Sequence, residues 1–186
     1  SSSLPAYAYC PIVVVPYTDD KDNLLHLNNV ITKVAVGSDD TKWGLRALQI
    51  AADFAANWGA ELDVITVVPG NTNLDDPAQK QKFEDVLDAR LESICTTHPD
   101  LKIRKSIVAG RAVETLTKAS HTHDIVVVGS CGRGGLTGLL FNSTSQGLLQ
   151  HSASPVYVVP RKFVEAEEQR VKTGTASGTE TAEVTS

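Results

Sequence analysis

The stretch VVVGSCGRGGLTGLLFNS, Val126 to Ser143, passes from apolar residues into five of the chain's 13 glycines and closes on a small polar pair. The unbroken apolar lead-in suits a strand covered on both faces. The glycines behind it supply bare backbone at the strand's carboxyl end. Ser143-Thr144-Ser145-Gln146 then has the S-x-x-Q pattern of a helix start.

Working outward, four more β-rich apolar runs accompany Ile125 to Gly129: Lys33 to Gly37, Leu62 to Val68, Ile103 to Val108 and Val156 to Val159. Helical periodicity lies between them. Trp43, Ala47, Leu48, Ile50, Ala51, Phe54, Ala55 and Trp58 share one broad side of Lys42 to Trp58, and Gly59 is placed to end that helix. Phe83, Val86, Leu87, Leu91 and Ile94 mark a second helix over Lys80 to Cys95, before His98-Pro99. Val113, Leu116 and Ala119 indicate a third, and a fourth begins near Ser143. Strands alternating with helices predict an α/β fold: a doubly wound five-stranded parallel sheet, the five runs in order 3-2-1-4-5. Ligands of such sheets bind beyond the carboxyl ends of the strands, where neighbouring connections leave to opposite faces. Here that crevice falls between the first and fourth runs, beside Gly37 to Thr41 and the glycine loop.

Two phosphate patterns are excluded. A P-loop needs Lys and Ser or Thr after its last glycine, but Gly134 is followed by Gly135 and Leu136. The dinucleotide fingerprint lacks its third glycine and belongs after the first strand. What remains is Gly129-x2-Gly132, nine residues, then Asn142-Ser143. Backbone N–H groups of such a loop can approach an anion, Arg133 can add a cation, and the helix after it offers free N–H groups and its dipole.

This pattern resembles the universal stress protein family, whose ATP-binding members carry Gly-x2-Gly-x9-Gly followed by Ser or Thr after the fourth strand. VAVGSDD is similar to the family's first strand ending in aspartate, LDVITVV to its second, and VAGRAVETL to its third strand, glycine turn and helix. LLFNSTSQGLLQHSASPVYVVP is similar to its closing helix and last strand. The resemblance covers about Asn29 to Arg161. It implies the adenine nucleotide alpha hydrolase-like fold and a bound ATP with Mg2+. By this likeness Asp39 would contact ribose or adenine, Val67 would offer backbone groups to adenine, and Gly129, Gly132 and Ser143 would hold phosphates, with Ser130, Arg133 and Thr144 in support. Asn142 stands where the motif has glycine, a position for which asparagine is the next most tolerant residue. Asp40 follows the aspartate where the family usually has glycine.

Leu4 to Pro16, LPAYAYCPIVVVP, overlays Leu148 to Pro160, LLQHSASPVYVVP, when the chain is slid by 144 positions. The repeat reads as the last helical turns and final strand of a preceding copy, so a tandem protein is expected. The expected divisions are 1–16 as that remnant, 17–28 as linker, 29–161 as the stress-protein domain and 162–186 as a mostly disordered tail. A short helix is foreseen near Phe163 to Val171, with Thr173 to Ser186 mobile. Pro155 to Val159 would otherwise be an exposed sheet edge, and Pro11 to Val15 can cover it antiparallel, within one chain or across a dimer.

Composition narrows the function. Net charge is -5 with pI near 5.5, and the basic residues are scattered, so duplex nucleic acid and anionic membranes are not expected partners. No run approaches the 18 apolar residues of a membrane helix. Cys10, Cys95 and Cys131 have no paired spacing, which fits a reducing cytoplasm rather than disulfides or zinc. Cys131 reads as a passive small residue of the loop, and His121 and His123 as solvated or capping histidines. No general base with a defined partner stands out, so the expected protein is a nucleotide-dependent stress regulator, not an enzyme. The alternative is a dimerisation or partner-docking module with a degenerate pocket.

Overall fold

The computed structural model describes residues 8–16, 30–130 and 143–172. Strand β1 (Ile12–Val14) precedes β2 (Lys33–Gly37), β3 (Glu61–Val68), β4 (Ile103–Ala109), β5 (Ile125–Gly129) and β6 (Val156–Val159). Helices α1 (Lys42–Trp58), α2 (Pro77–Thr97), α3 (Ala112–Ser120), α4 (Ser143–His151) and α5 (Arg161–Lys172) alternate with them. The described sheet has the order β1-β6-β5-β2-β3-β4. The five core strands are parallel and stand in the anticipated 3-2-1-4-5 arrangement. The added strand β1 runs antiparallel to β6, with Ile12 opposite Val158.

Apolar residues on alternate positions of the parallel strands feed two cores. On one face Val34, Val36, Leu62, Val64, Val127 and Val159 pack with α1, α2 and α5. On the other, Ala35, Ile65, Val126, Val128, Val156 and Val158 pack with Leu116 of α3 and Leu148 of α4. Burying each large side chain contributes about 1.5–3 kcal/mol, which is why both faces must be covered.

Local chemistry sets the helix ends. Thr41 caps α1, its side chain accepting from the Gly44 N–H, and Gly59 closes it at φ 65° with its N–H on the Ala55 and Ala56 carbonyls. Asp76 accepts from the Ala78 N–H at 3.0 Å and Pro77 opens α2, three residues ahead of the expected Lys80. Only part of each expected apolar side is buried: Trp58 is 48% exposed at the end of α1 and Val86 49% exposed on α2. The helix foreseen over Phe163 to Val171 is α5, longer at both ends, so residues 162–172 are helical. The expectation of mobility for Thr173 to Ser186 lies outside the described residues, as does the 17–28 linker. Helix α5 docks on α1 through Arg46, which makes two 2.7 Å bonds to Glu167, and Lys42, 2.8 Å from Glu168.

Candidate ligand crevice at the switch point

The chain leaves β2 into α1 on one face of the sheet and leaves β5 toward α4 on the other. Their carboxyl ends therefore diverge, and a crevice of about 90 Å³ opens there, bordered by Ser38, Asp39, Gly44, Ile65, Val67, Leu116, Val128, Gly129 and Thr144. Its floor is aliphatic and its rim carries one carboxylate, two hydroxyls and bare glycine backbone. Pockets that enclose whole small molecules run to roughly 300–1,000 Å³. The space bounded by the described residues is thus a fraction of what a whole small molecule needs.

Asp39 is partly buried and precisely oriented by its neighbours in sequence. Its Oδ1 accepts from the Thr41 N–H at 3.1 Å and from the Thr41 hydroxyl at 2.5 Å, and Thr41 Oγ1 accepts from the Gly44 N–H at 3.0 Å. The cap of α1 is therefore Thr41, with Asp39 holding its hydroxyl in place. A Cβ on Gly44 would overlap Asp39 Oδ1 outright and lie 3.0 Å from its Cγ, so glycine is what lets the carboxylate rest against the first turn. Asp40 is exposed and borders a groove between α1 and α2 instead of the crevice.

Val67 is placed by the end of a ladder. The Ser38 N–H donates to the Ile65 carbonyl at 2.9 Å, the last bond from the β2 end to β3, while the Val68 carbonyl turns to β4 and takes the Gly110 N–H. Residues two apart on a strand direct their backbone groups to the same side. Val67 therefore points its N–H and C=O past the end of β2, as a backbone-reading role requires. Ser38 itself is 5% exposed, and its Oγ has no hydrogen-bond partner.

Of the residues singled out from sequence, Asp39, Val67, Gly129 and Thr144 converge on the crevice. Ser143 is the first residue of α4 and is exposed. Ser130 is buried and does not border the crevice; its Oγ accepts from the Arg161 N–H at 2.8 Å and its N–H donates to the Val159 carbonyl, tying β5 to the β6–α5 junction. Gly132, Arg133, Asn142 and Cys131 lie outside the described residues. Cys10 and Cys95 are free and exposed.

Of the reading of His123 as a solvated or capping residue, the first half is corrected and the second holds: it is buried, and it caps a carbonyl in the last turn of α3. It is 8% exposed, with Nδ1 2.9 Å from the Ala119 carbonyl and Nε2 3.4 Å from Asp63 Oδ2. Asp63 is also held by Arg104 at 2.5 Å and Ser106 at 2.8 Å. Burial pushes the Asp63 carboxyl upward, but the bonds from His123, Ser106 and Arg104 outweigh it and hold it below the usual carboxylate range. The same bond to Asp63 raises His123 above its ordinary value against the cost of burial, and the Ala119 carbonyl adds to the rise. An acceptor at each ring nitrogen favours the protonated form of this imidazole. The signal in sequence was Asp63 within an apolar strand, a residue that demands partners. Among the described residues no group of three or more His, Cys, Asp or Glu is arranged to hold a metal. None of the described helices is long and apolar enough to cross a membrane.

A parallel sheet wound on both sides, with a carboxylate, hydroxyls and unclaimed backbone gathered at its switch point, defines the adenine nucleotide alpha hydrolase-like class of α/β domain. The sequence profile of the universal stress protein family matches residues 31–160, and the chain belongs to that family. Universal stress protein Rv2005c of Mycobacterium tuberculosis is 35% identical over 166 residues, covering 85% of this chain and 54% of the relative. The chain thus spans about half the length of the curated relatives it matches. A solved universal stress protein from Archaeoglobus fulgidus superposes with TM-score 0.60 at 22% identity, covering 86% of this chain and 53% of that one. A universal stress protein solved in complex with cAMP superposes with TM-score 0.54 at 24% identity, over 70% of this chain and 98% of that one.

Proposed function

We propose that this stress protein binds an adenine nucleotide in the switch-point crevice and acts as a nucleotide-dependent regulator rather than a catalyst. One observation carries the reading: Asp39, Val67, Gly129 and Thr144, from four separate segments of the chain, meet around one crevice where the β2 and β5 connections part. The base would lie on the aliphatic floor formed by Ile65, Leu116 and Val128, against the outward backbone of Val67. Asp39, its Oδ1 committed to Thr41, would turn its second oxygen to ribose hydroxyls. The triphosphate would extend over Gly129 and Gly132 to Ser143 and Thr144, where the N-terminus of α4 favours anions. Ser130, Arg133 and Asn142 flank that path in sequence. Mg2+ would arrive with the triphosphate and be held mainly by phosphate oxygens, the usual mode for this ion. The fold neighbour's cAMP supports an adenine ligand class.

We further propose that the protein works in the cytoplasm, in a tandem or dimeric assembly organised about the Pro155 to Val159 edge, where β1 now lies. Mass spectrometry of nucleotide released from purified protein, with calorimetry against Mg-ATP, AMP and cAMP, tests the binding. Gly132→Val is expected to abolish it and leave the fold intact. Absence of binding at millimolar nucleotide would turn the assignment to a docking module.

A further inference from the structure

Ser38 poses a problem that the fold alone does not resolve. It is 95% buried, its N–H is satisfied by the Ile65 carbonyl, yet its Oγ has no partner. Buried hydroxyls are nearly always hydrogen-bonded, because an unmatched one carries its full desolvation cost. The surroundings are aliphatic: Ile65, Leu116 and Val128 border the same crevice. An alanine at this position would avoid that cost at almost the same volume. Thr66, Thr117 and Ser154 also bury a hydroxyl without a partner, but of these four only Ser38 borders the crevice, where a ligand can bring the missing partner.

The chemistry of that partner follows from charge. The next residue is Asp39, whose carboxylate would repel a phosphate seated at Ser38. Anionic oxygens are better served by the glycine loop and the start of α4. A neutral hydroxyl in an apolar cleft, beside the outward backbone of Val67, matches a neutral polar atom of a heterocycle. We infer that Ser38 is a specificity-determining contact whose Oγ hydrogen-bonds a ring nitrogen or the exocyclic amine of the bound purine. The inference rests on the nucleotide reading of the crevice and adds to it a side chain that reads the base.

The test compares the wild-type chain with Ser38→Ala and the near-isosteric Ser38→Cys, using two probes: Mg-ATP and Mg-ribose-5-triphosphate, which has no base. A lost neutral hydrogen bond is expected to weaken Mg-ATP about 3- to 10-fold in Ser38→Ala while leaving the base-free probe unchanged. Ser38→Cys, a weaker donor, should fall between. Ligand-free Ser38→Ala should melt higher than wild type, by about 2 °C or more, since an unmatched hydroxyl has gone. A lower melting temperature would mean that the hydroxyl serves the fold, and the inference would be wrong. Unchanged Mg-ATP affinity, or an equal loss with both probes, overturns it equally and leaves the nucleotide site standing. Failure of wild type to bind Mg-ATP removes both.

Discussion

Gly44→Ala is the substitution for which the geometry makes the sharpest demand. In an ordinary helix this change stabilises by up to about 1 kcal/mol, through lost backbone entropy of the unfolded chain. Here the new Cβ would occupy the place of Asp39 Oδ1 and stand 3.0 Å from its Cγ and 3.1 Å from its N, so the carboxylate must leave. Its bonds to the Thr41 N–H and hydroxyl go with it. Bonds to a charged acceptor contribute roughly 1.5–3 kcal/mol each, which partial exposure reduces to about 1. Loosening the Thr41 cap costs about 1 more. The net is a destabilisation of about 1–2 kcal/mol, a fall in melting temperature of roughly 2–8 °C for a domain of this size. In an Asp39→Ala background the overlap with the carboxylate is gone and only the 3.1 Å approach to the backbone N remains, so the same Gly44→Ala should be neutral or stabilise by up to about 1 kcal/mol. Differential scanning calorimetry on the four chains of the cycle reads this difference as a coupling of about 1–3 kcal/mol. Equal stabilisation by Gly44→Ala in both backgrounds would refute the placement of Asp39 over the first turn.

The remaining predictions concern the core and the buried ion pair. Because the folded His123 value is raised above 6.5, its contribution is fully present below about pH 6.5 and is lost as pH rises through the folded value. Asp63, lowered from 3.8, contributes above that pH and loses its contribution as pH falls through its own folded value. Thermal melts from pH 5 to 9 should therefore show a loss on the alkaline side that His123→Gln abolishes; parallel profiles for the two chains would exclude a charged His123. At any pH below the transition, His123→Gln should cost about 1–3 kcal/mol in urea unfolding, since Arg104 and Ser106 still serve Asp63. On the crevice side of the sheet, Gly147→Ala would bring a Cβ within 2.5 Å of Val113 Cγ1 and force α3 and α4 apart. A cost of about 1–3 kcal/mol is expected by denaturant unfolding, and a neutral result would show that the helices yield freely.

Sequence made the sheet legible because its strands are covered on both faces. Runs such as VITVV and IVVVG need no partner to be recognised, and Gly59 marks the end of α1 by chemistry that belongs to a single residue. The start of α2 was less visible: its first turn is polar, so periodicity placed it at Lys80, whereas the Asp76 cap and Pro77 begin it earlier. Trp58 and Val86 fall on the expected apolar sides yet at their margins, where a helix turns away from the sheet. The burial of His123 against Asp63 was not legible because that environment is assembled from β3, β4 and the α3–β5 turn, about 60 residues apart in the case of Asp63. At the crevice, Asp39, Val67, Gly129 and Thr144 could be named beforehand through the family resemblance. The vacancy on Ser38 Oγ and the dependence of Asp39 on Gly44 could not, since both arise from how close two atoms come.

The strand that shields β6 lies ahead of the domain in the chain, and it is only three residues long. Pro11 and Pro16 bracket it, so backbone donors are missing on either side of the pairing, and Val13 and Val15 stand half-exposed on its outer surface. It therefore acts as a terminator: the sheet grows by one short step and then offers a poor template for another. A fragment trimmed to begin at Val30 would carry every residue of the crevice and still present a raw, adhesive flank, self-associating through β6 for reasons unrelated to any ligand.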